Sequence, residues 1–341
     1  MLKSLGKAGR RLFLPRDGGS VFDRERTRMT NPNRMGVILA AGRGTRMLPF
    51  SDHWPKPCLP IANKPLLRYQ LEALRTLGVR DVLVVIGHLG YEVVRALGDG
   101  ADLGLHLRYV DQGDALGIAH AVAKLEPHVD RPFFLFLGDI FFETENLGKM
   151  NELFDGDRVS AVLAVKREPD SEKIKRNFVV LLGQDGLVHR LIEKPRHPRT
   201  DLKGCGLYLF DPAFFDAIRH TPRTAMRDEY EITDAIQIFI DDGYGVAAAE
   251  VVRDDMNLSY PPDLLAVNLH VLDTRGGGAL LGEGVRLAPG AVVERSVLMD
   301  RVVVEHPIRI RDCLVFPDRV VQRRSDLERA ILIPGHEIDC R

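Results

Sequence analysis

Long apolar runs are missing from this chain, and no stretch approaches the length of a membrane-spanning helix. Cysteine is scarce. Cys58, Cys205, Cys313 and Cys340 stand alone, without CxxC or Cys/His spacing, which speaks against a zinc site and a disulfide framework and for a reducing compartment. An excess of either charge is missing too. The 47 Lys/Arg and 48 Asp/Glu nearly cancel, so nothing in the balance calls for nucleic acid or an anionic membrane. Two phosphate-binding signatures are also absent. No GKS/T follows a glycine loop, which excludes a P-loop ATPase, and the glycine spacing of a dinucleotide fold is not met.

What is present is an ordinary globular composition, 45% hydrophobic and 28% charged over 341 residues, enough for a large domain and a smaller one. The first 34 residues differ, with nine Lys/Arg against three Asp/Glu and no apolar periodicity. They are expected to form a basic, disordered extension (residues 1–34); a transit peptide is the alternative, and no signal-peptide core is present.

From Met35 the pattern alternates. "GVILAA", "DVLVVIG", "LHLRYVDQ" and "PFFLFLGD" are strand-like, and helical patterns separate them. In "PLLRYQLEALRTLGV", Leu67, Leu71, Leu74 and Leu77 share one face and Gly78 ends the helix. This order implies βαβ units and a Rossmann-like parallel sheet. Further on, "VSAVLAV", "FVVLLG", "LVHRLIEKP", "GCGLYLF" and "GVAAAEVV" are strands, the second and third joined by a "QDG" turn, so the sheet becomes mixed. "PAFFDAIRH", "EYEITDAIQIFIDDG" and "PPDLLAVNLHVL" are helices. The expected fold class is α/β, a Rossmann-like mixed sheet over residues 35–273.

After Thr274, "RGGG" marks a linker. Leu281, Leu287, Val293 and Met299 recur every six residues, and so do Gly284 and Gly290. This predicts a short left-handed parallel β-helix-like domain over 274–341, with that aliphatic row inside and the register fading after Glu305. A small irregular β domain is the alternative. So short a stack needs a neighbour, either the catalytic domain or the same tail in another subunit; a homo-oligomer is the expectation.

Ligands of open α/β sheets bind beyond the carboxyl ends of the strands. Gly42, Gly44, Thr45 and Arg46 follow the first strand, Lys56 sits between two prolines, and Asp139 ends "PFFLFLGD". Glycines let backbone N–H groups approach phosphate, Arg46 and Lys56 bring positive charge, and Asp139 suits Mg²⁺. Singly, each has a plainer explanation as a turn glycine, a solvated cation or a cap; His53, His88 and His120 lack partners that would make them catalytic.

The stretch "LAAGRGTRMLPFSDHWPKPCLPIANKPLLRYQLEAL", followed in order by "QGDALGIAHAV", "FLGD", "LIEKP", "GLYLF" and "EYEITDAIQ", resembles the sugar-1-phosphate nucleotidylyltransferases from Met35 to Asp273. The resemblance implies an enzyme whose partners are an NTP and a sugar 1-phosphate, with Mg²⁺ as cofactor. It implies that Arg46 and Lys56 attend the triphosphate and leaving pyrophosphate. Ala41, Gly42, Gly44, Thr45, Gln112 and Gly117 would bind nucleotide, Glu193 and Lys194 the sugar and its phosphate. Asp139 would be one metal ligand and Asn257, where many relatives have aspartate, the other, with Asp254 and Asp255 as nearby rivals for that place. "LGIAHAV" leans towards dTTP or UTP with glucose 1-phosphate, in the cytoplasm; GTP with mannose 1-phosphate is the alternative. Phe178 stands where relatives commonly have a glycine near the sugar. It keeps open a narrowed pocket or a regulatory relative that binds nucleotide sugar without turnover. A second, acyltransferase activity is disfavoured by the shortness of the tail.

Overall fold

The computed structural model describes residues 34–225 and 228–341. The expectation for residues 1–34 therefore falls outside the described part, Arg34 excepted. A nine-stranded mixed sheet forms the centre. Its first strands are β1 (Met35–Leu39), β2 (Asp81–Ile86), β3 (His106–Asp111) and β4 (Phe133–Leu137). Helix α1 (Leu66–Thr76) precedes β2, α2 (Gly90–Leu97) precedes β3 and α3 (Ile118–Ala123) precedes β4. All pairings among these four strands are parallel, in the order β4-β1-β2-β3. Leu67, Leu71, Leu74 and Leu77 are buried against this sheet, and Gly78, at φ 80, closes the helix by donating to Arg75 O.

The chain then runs through β5 (Ile140–Thr144), α4 (Gly148–Leu153), β6 (Ala161–Arg167), β7 (Phe178–Leu182), β8 (Val188–Glu193) and β9 (Leu202–Phe210). It continues through α5 (Phe214–His220), α6 (Ile232–Asp241), β10 (Val246–Glu250), β11 (Val252–Asn257) and α7 (Pro261–Thr274). β9 lies antiparallel to β4, β6 and β7, and β7 forms the expected hairpin with β8. The sheet reads β8-β7-β9-β4-β1-β2-β3, with β6 branching from β9 and β10 pairing with β6.

One expectation needs correction here. "GVAAAEVV" is not a single strand. The chain turns at Val251, and β11 leaves the main sheet to pair with β5 as a separate two-stranded ribbon. The strand "IFFET" is an addition to the elements expected from the sequence; only Gly138 and Asp139 separate it from β4.

Buried charge ties the ribbon to the sheet. Lys203 on β9 donates to both carboxylate oxygens of Asp255 on β11 at 2.7 Å. Lys166 on β6 donates to Asp254 at 2.7 Å and lies 3.3 Å from Asp255 and 3.2 Å from Glu168. Burial works against the charge on Lys166, but the Asp254 hydrogen bond and the Asp255 charge outweigh it and raise its pKa above the ordinary lysine value. Asp254 is likewise opposed by burial, yet the Lys166 bond holds it below the usual carboxylate range. The stabilisation from the raised lysine is complete below its unfolded pKa, and that from the lowered carboxylate above its unfolded pKa. The pair therefore stabilises the fold between about pH 4 and pH 10 and fades as acid protonates Asp254.

The tail after α7 is a stack of parallel coils. Leu280 aligns with Val297, Leu314 and Ile331, Arg286 with Val303 and Val320, and Val293 with Ile310 and Leu327. Each coil is thus three short strands, and the short aliphatic runs after Glu305, where the sequence register weakens, carry the coil repeat on to Ile331. Its corners explain the weak signal. Arg301 and Asp318 take the left-handed backbone that Gly284 takes one coil earlier, and Arg295, Asp312 and Arg329 do so at another corner.

The expected interior row also needs correction. Leu281 is 46% exposed and Leu287 38%, while Leu298, Val304, Ile310, Val315 and Val321 fill the interior. Leu281 and Leu287 align with Leu298 and Val304 but belong to the first coil, on which no further coil is stacked among the described residues; Val293 does pack against the interior. Met299 packs outside, against the catalytic side. The outer row Val297, Leu314 and Ile331 is fully buried in one core with α7 and the segment after β1. The tail therefore has a neighbour within its own chain, the α/β domain.

Lys203→Met should strand the 1%-exposed Asp255 side chain against Lys166 alone. A loss of about 3–5 kcal/mol is expected in urea unfolding, and Lys203→Met with Asp255→Leu should recover most of it.

Candidate functional site

The side chains singled out from the sequence lie along one edge of the sheet, where β1 to β4 end. Ala41 is buried and Gly42 lies in open space, with nothing within 4 Å of a notional Cβ. Gly44 follows in the left-handed region at φ 65. A Cβ there would stand 2.9 Å from Lys56 Cγ, so the glycine lets the lysine stem lie across the loop. Thr45 and Arg46 begin an exposed 3₁₀ turn, and the Arg46 guanidinium sits 5.2 Å from the ring centre of Tyr260, the residue that caps α7.

Lys56 reaches back from its own 3₁₀ turn and donates to Asp139 Oδ2 at 3.3 Å. Asp139 lies just past β4, and its side chain is 45% exposed. The β5–β11 ribbon brings Asn257 opposite Ile140, and Leu258 N donates to Asp139 O at 3.0 Å. Asp139 and Asn257, 118 positions apart in sequence, are thus backbone neighbours. Together they offer a carboxylate and an amide oxygen, hard donors that suit Mg²⁺, which commonly takes one or two carboxylates plus substrate phosphates. Among the described residues, no group of three or more His, Cys, Asp or Glu is arranged to hold a metal. The donor set fits an ion whose coordination is completed by substrate and water.

On one side of this centre, Gln112 follows β3, buried, its N–H donating to Ile86 O at 2.9 Å. It lies two strand spacings from β1, about 10 Å. Gly117 is packed against the backbone of Tyr230, which donates to Leu116 O and accepts from Ala119 N. Tyr230 thereby sets the loop before α3, a role its sequence position does not signal.

On the other side the antiparallel strands carry the row onward. Leu207 lies opposite Phe136, and β9 runs antiparallel to β4, so the start of β9 lies at the edge where β4 ends. Lys203 lies opposite Val179, and Phe178 opposite Glu193. Lys194 follows with φ 43, its N–H donating to Asn177 O at 2.8 Å and its ammonium 3.3 Å from Glu193 Oε1. So Glu193 and Lys194 stand at the same edge as Asp139, three strands away.

Phe178 does not stand free at this edge. It is 7% exposed, stacks 6.4 Å from Tyr208, and belongs to the core on the α5–α6 face. Its ring lies over Gly204, where a Cβ would fall 1.9 Å from Phe178 Cζ. The large side chain is accommodated by a residue with none.

A cavity of about 400 Å³, lined by Met35, Asp81, Arg108, His128, Asp130 and Arg131, lies elsewhere. It opens at the amino ends of β1 and β2, away from the edge where sheets of this kind bind ligands. Its volume therefore does not locate the site.

The family model described as nucleotidyl transferase matches residues 35–257. A glucose-1-phosphate thymidylyltransferase of Streptomyces griseus is 37% identical over 288 residues, which cover 84% of this chain and 77% of that protein. A low-salt glycan biosynthesis nucleotidyltransferase, Agl11, of Haloferax volcanii is 36% identical over 242 residues, covering 70% of this chain and 66% of that protein. A solved UDP-glucose pyrophosphorylase complexed with UDP-glucose superposes with a TM-score of 0.63 over 71% of this chain and 99% of that chain; at 22% identity it speaks for the fold alone. The chain belongs to the nucleotidyl transferase family. Within that family it is a sugar-1-phosphate nucleotidylyltransferase. Among the described residues, no helix is long and apolar enough to cross a membrane.

Gly204→Ala should drive the new methyl into the Phe178 ring and cost about 1–3 kcal/mol. Phe178→Leu added to it should return part of that loss. Equal thermal midpoints for Gly204→Ala and the parent would contradict this packing.

Proposed function

We propose that this enzyme transfers a nucleotidyl group from dTTP or UTP to glucose 1-phosphate, giving the nucleotide sugar and pyrophosphate. The observation that carries the proposal is the meeting of Lys56, Asp139 and Asn257 at the carboxyl ends of β1 and β4, with 3.3 Å between Lys56 and Asp139. The pyrimidine base is favoured by "LGIAHAV" and by the name of the Streptomyces griseus relative.

In this proposal a sugar-phosphate oxygen attacks the α-phosphorus in line. The P–O bond to the β-phosphate breaks, and pyrophosphate carries the charge away. The chain forms no covalent bond to either substrate; it aligns them and stabilises charge. Ala41, Gly42, Gly44 and Thr45 present the loop backbone to the triphosphate, while Arg46 and Lys56 bear on its β- and γ-oxygens. Gln112 and Gly117 face the base. Glu193 orients the sugar and Lys194 neutralises its phosphate. Asp139 and Asn257 would hold Mg²⁺, which when bound would offset phosphate charge.

The order of these groups along the sheet edge supports the assignment. Gln112 lies on one flank of the Lys56–Asp139 centre and Glu193 on the other, as base and sugar flank the phosphates in a nucleotide sugar. The burial of Phe178 in the core favours turnover over a purely regulatory role. All four cysteines are free, which supports placing the reaction in the reducing cytoplasm. We propose also that the exposed Leu281 and Leu287 of the open first coil favour a homo-oligomer.

A panel of NTPs against sugar 1-phosphates, scored by pyrophosphate release, should single out a pyrimidine nucleotide with glucose 1-phosphate. No turnover with any pair, while nucleotide sugar still binds, would favour a regulatory relative. Lys56→Ala should raise the KM for NTP or lower kcat, and Lys194→Ala should chiefly raise the KM for sugar phosphate. Matching defects in both variants would contradict the division of roles.

A further inference from the structure

The segment from Gly42 to Pro65 carries both cations of the proposed triphosphate site but has little regular structure to hold it. It consists of three short 3₁₀ turns and a two-residue ribbon, Pro60–Ile61 with Lys64–Pro65. Its far end is clamped from α7. The fully buried Asn268 accepts from Ala62 N at 2.8 Å and donates to Pro60 O at 3.0 Å. Nearer the site, His88 Nε2 lies 3.2 Å from Ser51 O. Between Arg46 and Lys56 the segment is otherwise anchored by apolar side chains, with Met47 and Phe50 both 0% exposed.

Those side chains rest partly on the tail. Phe316, at a corner of the coil stack and 2% exposed, lies 5.6 Å from Phe50 and 5.1 Å from Trp54, ring centre to ring centre. Val297, Leu314 and Ile331 back it in the same core. Phe50 comes four residues after Arg46, and Trp54 two before Lys56. One aromatic residue of the tail therefore fixes the middle of the span between the two cations.

We infer that Phe316 is a positioning residue for the NTP side of the reaction, and that the coil stack serves as the template on which the Arg46–Lys56 segment is shaped. This rests on the proposed assignment of Arg46 and Lys56 to the triphosphate. Phe316 touches no substrate. It acts by holding Phe50 and Trp54, so that Lys56 meets Asp139. Ordering this segment in advance spares the NTP the entropy of ordering it on binding, and small misplacements of such groups are costly.

The test compares full-length Phe316→Ala and Phe316→Leu with Val304→Ala, a deletion inside the coils that does not face the segment. Hydrogen exchange reads the segment directly, whatever its role in binding. Both Phe316 variants should speed exchange across residues 45–59 and leave β1, β2 and β4 protected. They should lower kcat/KM for NTP, by on the order of 10–100-fold in Phe316→Ala, and leave the KM for sugar 1-phosphate within about twofold, a change too small to signal a lost contact. Phe316→Leu, the milder change, carries the test if Phe316→Ala does not fold.

Unchanged exchange at 45–59 would overturn the inference. So would equal losses for both substrates, or the same NTP defect in Val304→Ala. Lys56→Ala separates the two ways of failing. If it spares NTP use, the binding assignment is wrong and the inference falls with it. If it impairs NTP use while the Phe316 variants do not, the inference alone is wrong.

Discussion

The contact between Lys56 and Asp139 is the point on which the rest of the site depends. As an ion pair it is long, at 3.3 Å, and open to water on the Asp139 side, and partly exposed pairs contribute little stability. Its importance is positional. Lys56 lies on a segment with little regular structure, Asp139 just past a strand buried from Phe133 to Phe136, and their meeting registers one against the other. From this point the sheet extends over β2 and β3 on the flank proposed for the base and over β9, β7 and β8 on the flank proposed for the sugar.

Three separate parts of the chain converge to hold that point. The β5–β11 ribbon brings Asn257 beside Asp139, and the buried charges of Lys166, Lys203, Asp254 and Asp255 bind the ribbon to the sheet. Helix α7 supplies Asn268 to one end of the Lys56 segment and Tyr260 to Arg46. The coil stack supplies Phe316. Each tie joins residues far apart in sequence, so the site is assembled by the tertiary fold and not by any local motif. The tail, which carries none of the proposed binding residues, is thereby linked to the reaction through a shared core.

Much of this was legible beforehand, for physical reasons that can be named. The parallel strands announced themselves because buried strands are continuous apolar runs, and α1 because its leucines fall on one face. Asp139 and Lys56 stood out through their places at a strand end and in a proline-bounded turn. The ribbon was hidden because only Gly138 and Asp139 separate Ile140–Thr144 from β4, and "GVAAAEVV" runs into β11 without a turn residue. The coils were legible only while glycine stood at their corners; where arginine and aspartate take the left-handed backbone, the composition gives no sign. The seating of Phe178 over Gly204 could not be foreseen, since it depends on two strands meeting in one register. Nor could Phe316, whose partners lie more than 260 positions away.

The central claim is that Asp139, placed by the sheet beside Lys56 and Asn257, serves charge handling at the phosphates and not folding. Pyrophosphate release followed against Mg²⁺ concentration in the parent and in Asp139→Asn tests it most directly. The account predicts an unchanged melting temperature, a large loss of rate at limiting Mg²⁺, and a shift of the Mg²⁺ requirement to higher concentration. A variant that keeps the parent rate and the parent Mg²⁺ dependence would contradict it.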